Sequence, residues 1–274
     1  MNWNTLFVIE KTITPEETRS LVEGDSFRDY QLLDVRQPKE YEQSHLPGAI
    51  LIPLSELNDN LLSLDKDRPV IVYCRSGVRS KAGCQTLMQA GFTDCFNMTG
   101  GILKWSGVEA EGDQHLGLEL FIEGDFSSSF SMAYTMESNL KQFYILLAEN
   151  SSTTEEKDML NQMAKLEDGH MAKLLHKYNR GQDTVIDSGD SQENLLEGGI
   201  NTDSMREAII NQRGSAENVL HLGMKLEAQA LDLYNRLARE HQGTDVALFF
   251  TEIAQEERTH LRQLSRQLDK ILES

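Results

Sequence analysis

Hydrophobic and polar positions follow two different patterns along the chain, and the change falls near Gly112. Before it, short apolar runs bounded by turn residues alternate with helical stretches. The strand-like runs cover residues 30–35, 49–54 and 70–74. Strands that alternate with helices form parallel sheets, so residues 1–112 are predicted to be an α/β domain with a parallel sheet.

After Gly112 the pattern becomes that of long helices. Residues 113–129 are acidic and contain glycine and serine, so we interpret them as a linker, with the apolar run at 116–122 packed on one domain. From about Phe130, apolar positions recur with helical spacing in two pairs of stretches, separated by a long loop or crossover at 180–203. Residues 130–274 are therefore predicted to be an all-α four-helix bundle.

The second half of the chain repeats itself after 90 residues. The shift aligns Glu137 with Glu227 and His170 with His260. It also aligns Tyr144 with Tyr234, Leu147 with Leu237, Ala148 with Ala238, Ala164 with Ala254, Glu167 with Glu257 and Leu174 with Leu264. We interpret the half as two copies of one helical hairpin.

Each predicted helix carries one glutamate within its apolar stripe, and two helices add a histidine one turn later. The six residues are Glu137, Glu167, His170, Glu227, Glu257 and His260. Buried carboxylates each cost several kcal/mol unless a positive group compensates them. Six mixed oxygen and nitrogen ligands suit two iron ions, or manganese, better than one tetrahedral zinc. Paired Glu and Glu-x-x-His ligands are the di-iron pattern of ferritin-like bundles.

Two plainer readings remain open for these residues. The acidic positions are also compatible with a solvated charged face, and a single Glu-x-x-His is a weak signal, since Glu42 and His45 match it outside a helical pattern. Tyr144 and Tyr234 lie two turns from Glu137 and Glu227 on the same faces. Their hydroxyls either bond to a ligand side chain or simply fill the core.

Several segments of the second half resemble the rubrerythrin-like branch of the ferritin-like superfamily. They read "ESNLKQFYILLAEN", "AKLEDGH", "KLEAQALDLYNRLARE" and "EIAQEERTH". The resemblance implies a non-haem di-iron site that reduces peroxide, although oxidase and iron-handling roles also occur among such bundles. The chain departs from rubrerythrins in lacking C-x-x-C pairs for a rubredoxin-like centre and in having Ala230 where an extra glutamate can occur.

In the first half, residues 70–80 read "VIVYCRSGVRS", a strand that ends in Cys74 before a glycine turn and a helix beginning near Arg79. Backbone N–H groups at such a helix N-terminus stabilise an anion. With Arg75 and Arg79 nearby, we expect a lowered thiol pKa and a nucleophilic thiolate. The alternative is a small buried core cysteine, which is the reading we prefer for Cys84 and Cys95.

The segments at 32–53, "LLDVRQPKEYEQSHLPGAILIP", and at 100–105, "GGILKW", complete a resemblance to single-domain rhodaneses over about residues 10–110. It implies that Cys74 is the sulfur-accepting nucleophile. The loop that it implies as a cradle consists of Arg75, Ser76, Gly77, Val78 and Arg79, with both arginines attracting an anionic donor such as thiosulfate. The residues that it implies hold the fold are Asp34, Arg36, Glu40 and His45. A related phosphatase loop needs five residues between cysteine and arginine, and this loop has four.

The composition disfavours some classes of binding partner and indicates the cellular compartment. A formal charge of −18 argues against nucleic acid and anionic membranes as partners. The three cysteines form no C-x-x-C pair, which disfavours a disulfide scaffold, and the start of the chain shows neither signal peptide nor membrane span. We expect a cytoplasmic protein. Because ferritin-like bundles often associate, we also expect a homo-oligomer, with a dimer as the simplest form.

Together these patterns predict a sulfurtransferase that forms a Cys74 persulfide, coupled to a non-haem di-iron domain that reduces peroxide. Its small partners would be thiosulfate or a persulfide as sulfur donor, a thiol as acceptor, and peroxide. The alternative is an iron-binding and sulfur-delivery protein without peroxidase turnover.

Overall fold

The computed structural model describes residues 11–22, 24, 30–121, 126–151, 153–178, 195–196, 200–201 and 215–272. The chain divides into two compact units, Met1–Gln114 and His115–Ser274. Most of the predicted loop or crossover at 180–203 lies outside the described residues. None of the helices in the described ranges combines the length and apolar character needed to span a bilayer.

The first unit is the predicted α/β domain. Its sheet has the order β1-β5-β4-β2-β3, and every neighbouring pair is parallel. The strands are β1 (Lys11–Ile13), β2 (Gln31–Asp34), β3 (Ile50–Leu51), β4 (Val70–Tyr73) and β5 (Cys95–Met98). The helices are α1 (Pro15–Val22), α2 (Pro38–Gln43) and α3 (Val78–Gln89), with short 3-10 helices at Leu61–Ser63 and Gly101–Lys104.

Burial explains why the inner strands read as apolar runs. Every residue of β2 and β4 is buried, as expected for parallel strands inside a sheet. The predicted capping box starts α1: the Thr14 N–H donates to the Glu17 carboxylate at 2.8 Å, and the Glu17 N–H donates to the Thr14 hydroxyl at 3.1 Å. β4 lies in the centre of the sheet, so the loop that follows it is held by strands on both sides.

The second unit is helical. Its long helices are α4 (Phe126–Glu149), α5 (Thr154–Tyr178), α6 (Ala216–Glu240) and α7 (Asp245–Leu272). α4 packs along α5 and α6 along α7, and the two pairs meet through α5 with α6 and α4 with α7. Two short strands, β6 (Leu195–Leu196) and β7 (Ile200–Asn201), pair antiparallel.

The interval 113–129, predicted as a linker, is partly ordered into the second unit. Leu118–Phe121 forms a 3-10 helix, and α4 begins at Phe126, four residues before the predicted start. The buried Phe121 ring meets the Phe250 ring edge to face at 5.3 Å between centroids. The apolar run at 116–122 therefore packs on the helical unit through Phe121, because its aromatic side chain buries a large apolar area there.

Candidate functional sites

Cys74 lies in the loop between the central strand of the first unit and α3. β4 ends at Tyr73 and α3 begins at Val78. The loop turns at Gly77, whose φ of +90° is a left-handed conformation that glycine adopts without strain. The Gly77 backbone N–H donates to the Cys74 Sγ at 3.2 Å. The start of the helix therefore points at the sulfur atom of a cysteine that is only 1% exposed.

Ser80 contacts the same sulfur from inside the first turn of α3. A side chain at this position leans back toward the helix N-terminus. The Ser80 Oγ lies 3.4 Å from the Cys74 Sγ and 2.6 Å from the Asn97 Oδ1, and its single proton can be donated to either acceptor. Both side chains are buried. Neither Ser80 nor Asn97 is among the predicted site residues; the only signal in the sequence is a serine three residues after the glycine turn.

Hydrogen bonds set the acidity of the Cys74 thiol. Burial raises its pKa, but the hydroxyl of Ser80 and the backbone N–H groups of Ser80, Ser76 and Gly77 outweigh burial and lower the pKa below the ordinary thiol value. The direction and the part played by backbone N–H groups agree with the prediction, whereas the Ser80 hydroxyl was not predicted and the two arginines are not among the main causes. Cys95 shows the opposite case, since burial raises its pKa to about 11.

A 3-10 helix closes the cradle from the other side. The N–H of Ile102 donates to the Cys74 carbonyl at 2.9 Å, and the N–H of Leu103 donates to the Arg75 carbonyl at 3.1 Å. This approach requires Gly101, with φ of +60°. A Cβ there would overlap the Cys74 carbonyl oxygen and lie 2.6 Å from the Arg75 carbonyl carbon. Backbone contacts thus fix the loop on both sides of the sulfur.

The two predicted donor-binding arginines differ in their surroundings. Arg75 is exposed. Arg79 is half-buried and donates through Nη1 and Nη2 to the two carboxylate oxygens of Glu40, at 2.6 and 2.7 Å. Glu40, predicted as structural, is therefore the direct charge partner of a residue predicted to attract the substrate. No local pattern predicts this contact between residues 39 positions apart.

The other residues predicted to hold the fold make buried contacts. Arg36 forms an ion pair with Asp34 at 2.7 Å and donates to the Ser44 carbonyl at 2.7 Å. The His45 ring stacks on the Tyr41 ring with 3.6 Å between centroids, and its Nδ1 lies 2.9 Å from the Tyr41 carbonyl. These contacts tie α2 to the end of β2. Cys84 and Cys95 lie in the core beside Cys74.

In the second unit the structure brings together the six predicted metal-ligating side chains. All six are buried: Glu137, Glu167, His170, Glu227, Glu257 and His260. The His170 Nδ1 lies 3.3 Å from Glu137 and 3.1 Å from Glu167. The His260 Nδ1 lies 3.4 Å from Glu227 and 3.3 Å from Glu257. Each hairpin therefore contributes two carboxylates around one imidazole.

The two halves of this cluster meet at the histidines. The rings of His170 and His260 stack with 3.5 Å between centroids and 10° between planes. Two sets of possible ligand atoms lie within 4.8 Å of one another: those of Glu137, Glu167 and His170, and those of His170, Glu257 and His260. The remaining stripe positions around the cluster, which include Tyr144 and Tyr234, are buried.

The cluster has more acceptors than the described residues satisfy. Neither carboxylate oxygen of Glu167 or Glu227 accepts a hydrogen bond of good geometry from the described part of the chain. Buried carboxylate oxygens without donors are costly, and a cation removes that cost. The donor set, four carboxylates and two imidazoles, is one that iron and manganese accept. The residues therefore fit a site for two such ions.

Without a metal, protons on two of these groups offset part of the negative charge. Burial lowers the pKa of His170, but the carboxylates of Glu137 and Glu167 outweigh burial and raise it to about 11. Burial and the neighbouring carboxylates raise the pKa of Glu167 well above its usual range. A protonated imidazole and a neutral carboxyl group thus take the place that cations would fill.

Comparison with known proteins concerns the first unit. The family model described as Rhodanese-like domain matches residues 14–107. The uncharacterized protein YqhL of Bacillus subtilis is 43% identical over 99 residues, which cover 36% of this chain and 75% of that protein. A sulfurtransferase of Allochromatium vinosum is 40% identical over 78 residues, covering 28% of this chain and 73% of that protein. The thiosulfate sulfurtransferase GlpE of Coxiella burnetii is 31% identical over 86 residues, which cover 31% of this chain and 80% of that protein.

The family match covers β2 to β5 and the loop after Cys74. The matched family residues, 14–107, fall inside the first unit. Through them, the chain belongs to the rhodanese-like domain family.

Proposed function

We propose that the first unit is a sulfurtransferase in which Cys74 accepts a sulfur atom and passes it on. The observation that carries this proposal is the buried Cys74 Sγ, which faces the N–H of Gly77 and the hydroxyl of Ser80 and has a lowered pKa. The relatives named as sulfurtransferases support it.

In the first half of the reaction, the Cys74 thiolate attacks the outer sulfur of the donor. With thiosulfate, a new sulfur–sulfur bond forms, the donor's sulfur–sulfur bond breaks, and sulfite leaves with the electron pair. Negative charge moves to the outer sulfur of the Cys74 persulfide, where the backbone N–H groups of the loop stabilise it. An acceptor thiolate then takes the outer sulfur and restores the Cys74 thiolate.

Mass spectrometry after treatment with thiosulfate tests this function. We expect wild-type protein to gain the mass of one sulfur atom and to convert cyanide to thiocyanate. Replacing the nucleophile in Cys74→Ser should reduce thiocyanate formation by on the order of a thousandfold or more and leave metal content unchanged. Cys95→Ala, a change at a buried thiol with a raised pKa, is the control. Transfer that survives in Cys74→Ser refutes the assignment.

We further propose that the second unit is a ferritin-like four-helix bundle that holds two non-haem iron ions, with manganese as the alternative metal. The residues that would hold them are Glu137, Glu167, His170, Glu227, Glu257 and His260. Their burial, their mutual distances and the unsatisfied oxygens of Glu167 and Glu227 support this assignment. When bound, the two ions supply the electron-transfer chemistry that reduces peroxide.

The protein's own contribution is to place the ligands and exclude water. Four helices fix the carboxylates, and the apolar stripes around them keep the site dry, which strengthens each electrostatic contact. Tyr144 and Tyr234 are buried on the same helix faces as Glu137 and Glu227. The alternative function, iron binding and sulfur delivery without peroxide turnover, needs the same ligands.

Metal analysis and peroxide consumption separate these two functions. We expect about two iron ions per chain after anaerobic loading, as the six ligands require. Peroxide consumption that depends on this iron supports the peroxidase, and bound iron without turnover supports delivery. If the two units act together, Cys74→Ser should also lose any peroxide consumption that a sulfur donor sustains. A chain that binds no metal refutes both functions of the helical unit.

A further inference from the structure

The ion pair of Glu40 and Arg79 changes the charge that a substrate meets at Cys74. Arg79 lies in the first turn of α3, next to the cysteine loop, and uses both terminal nitrogens on Glu40. A bidentate pair of this kind is the strongest form of arginine–carboxylate contact. The charge of Arg79 is therefore largely neutralised before a donor arrives.

A second contact holds the Glu40 carboxylate in place. Glu40 occupies the third position of α2 and accepts a hydrogen bond from the Gln37 backbone N–H at 3.2 Å. The hydrogen bond from Arg79 lowers the pKa of Glu40 to about 2, although burial opposes it. The carboxylate is thus ionised at neutral pH and fixed by both a helix terminus and an arginine.

The other charges around the loop are similarly arranged. Arg36 is buried and paired with Asp34. Within the cradle loop itself, residues 75–79, Arg75 is the remaining cation, and it is exposed to solvent. An exposed charge is screened by water and salt, so its attraction for an anion is modest.

Sulfur donors differ in how much they need these cations. Thiosulfate is a dianion. When it meets the Cys74 thiolate, three negative charges in total come together. A protonated persulfide on a thiol carrier, R–S–SH, adds no charge at the reacting sulfur. Resting on the sulfur-transfer function proposed above, we infer that Glu40 makes the site selective for a thiol-bound persulfide over thiosulfate by neutralising Arg79.

The persulfide step balances without a further reactant. The Cys74 thiolate attacks the outer sulfur of R–S–SH, a new sulfur–sulfur bond forms, and the bond within the donor breaks. R–S⁻ leaves with the electron pair, and Cys74 carries –S–SH. One negative charge is present before and after the step, so no additional cation is needed at the loop.

The test measures KM for two donors in the full chain carrying Glu40→Gln. We expect KM for thiosulfate to fall about fivefold, since no carboxylate then compensates the positive charge of Arg79, and the effect to shrink at high salt. KM for cysteine persulfide should change less than about twofold, because the reacting sulfur is uncharged. Glutamine keeps the capping-box contact. Glu42→Gln, an exposed change on the same helix, is the charge-matched control.

Equal changes for both donors, or the same change in Glu42→Gln, would overturn the inference. If Glu40→Gln does not fold by circular dichroism, the wild-type protein provides the second test: KM for thiosulfate should exceed KM for cysteine persulfide by about fivefold or more, because the dianion meets a neutralised arginine. Equal KM values for the two donors also overturn the inference, because the site would then not be selective. Failure of both donors to form a Cys74 persulfide in wild type refutes the proposed function instead.

Discussion

The two candidate sites are built from different parts of the chain. Around Cys74, a glycine turn, backbone N–H groups and one buried serine surround a single sulfur atom. In the helical unit, charged side chains from four helices converge, and among the described residues the carboxylate oxygens of Glu167 and Glu227 accept no hydrogen bond of good geometry. The protein itself provides the hydrogen-bond donors of the first site, whereas the carboxylates of the second site need cations or protons to compensate their charge.

This difference predicts different dependences on the surroundings. A site made of backbone donors is complete as soon as its loop is folded, so it should withstand chelators and respond mainly to changes in the loop. A cluster of buried carboxylates is stable only with a counter-charge, so its stability should follow metal concentration. Three kinds of substitution test this difference. In order of decreasing expected effect, they remove a metal ligand, disturb a close contact between backbone segments, and remove a hydrogen bond.

The largest expected effect is on metal-dependent stability, in Glu167→Gln. Iron at a hundred to a thousand times its Kd should add about 3–4 kcal/mol per site to the free energy of unfolding. Glutamine has the shape of the carboxyl group that Glu167 presents without metal, so metal-free stability should barely change, while most of this gain is lost. Calorimetry with and without iron measures both quantities. Asp168→Asn, an exposed neighbour paired with Lys141, should keep the full gain, and a full gain in Glu167→Gln would place the ligands elsewhere.

A smaller effect is expected where the 3-10 helix approaches the cysteine loop, in Gly101→Ala. The added Cβ meets backbone atoms of Cys74 and Arg75, so the first unit should lose about 2–3 kcal/mol of stability and slow its sulfur transfer. Gly91→Ala is the matched control, because Gly91 also has a positive φ but no atom within 4 Å of the added Cβ. Gly91→Ala should lower the free energy of unfolding by only about 1 kcal/mol. Equal losses in denaturant unfolding would show that strain alone, and not the contact, matters.

The smallest effect is expected on thiol reactivity, in Ser80→Ala. Loss of the hydroxyl removes a donor to the Cys74 thiolate, so the pKa of Cys74 should rise and the pH profile of its alkylation should move to higher pH. The alkylation rate at neutral pH should fall roughly three- to fivefold, as for one hydrogen bond. Ser76→Ala should leave the profile in place, since Ser76 acts through its backbone N–H. An unmoved profile in Ser80→Ala would assign the lowered pKa to the backbone alone.

Local patterns were sufficient for much of the fold and for the placement of several predicted side chains. The Thr14 and Glu17 capping box, the strand that ends at Cys74 and the glutamates in apolar stripes all depend on residues a few positions apart, and the structure shows each of these local features. The pairing of Glu40 with Arg79 depends instead on how α2 and α3 pack. Periodicity along one helix carries no information on such contacts between elements.

The same reason explains why the part of Ser80 in the Cys74 acidity was not predicted. The glycine turn and the two arginines beside the cysteine are visible in the sequence, whereas the direction of a serine hydroxyl is set by the loop conformation. The start of α4 was placed too late because its first turn, rich in serine, lacks the apolar spacing by which a helix is recognised.

The 90-residue repeat has a consequence for how the cluster is completed. Each hairpin holds one lone Glu and one Glu-x-x-His, which is half of the six-residue cluster, and the halves meet where His170 stacks on His260. Two copies of one hairpin therefore contain every one of these side chains, and a single hairpin contains only half of them. The cluster is complete only when the two hairpins pack together.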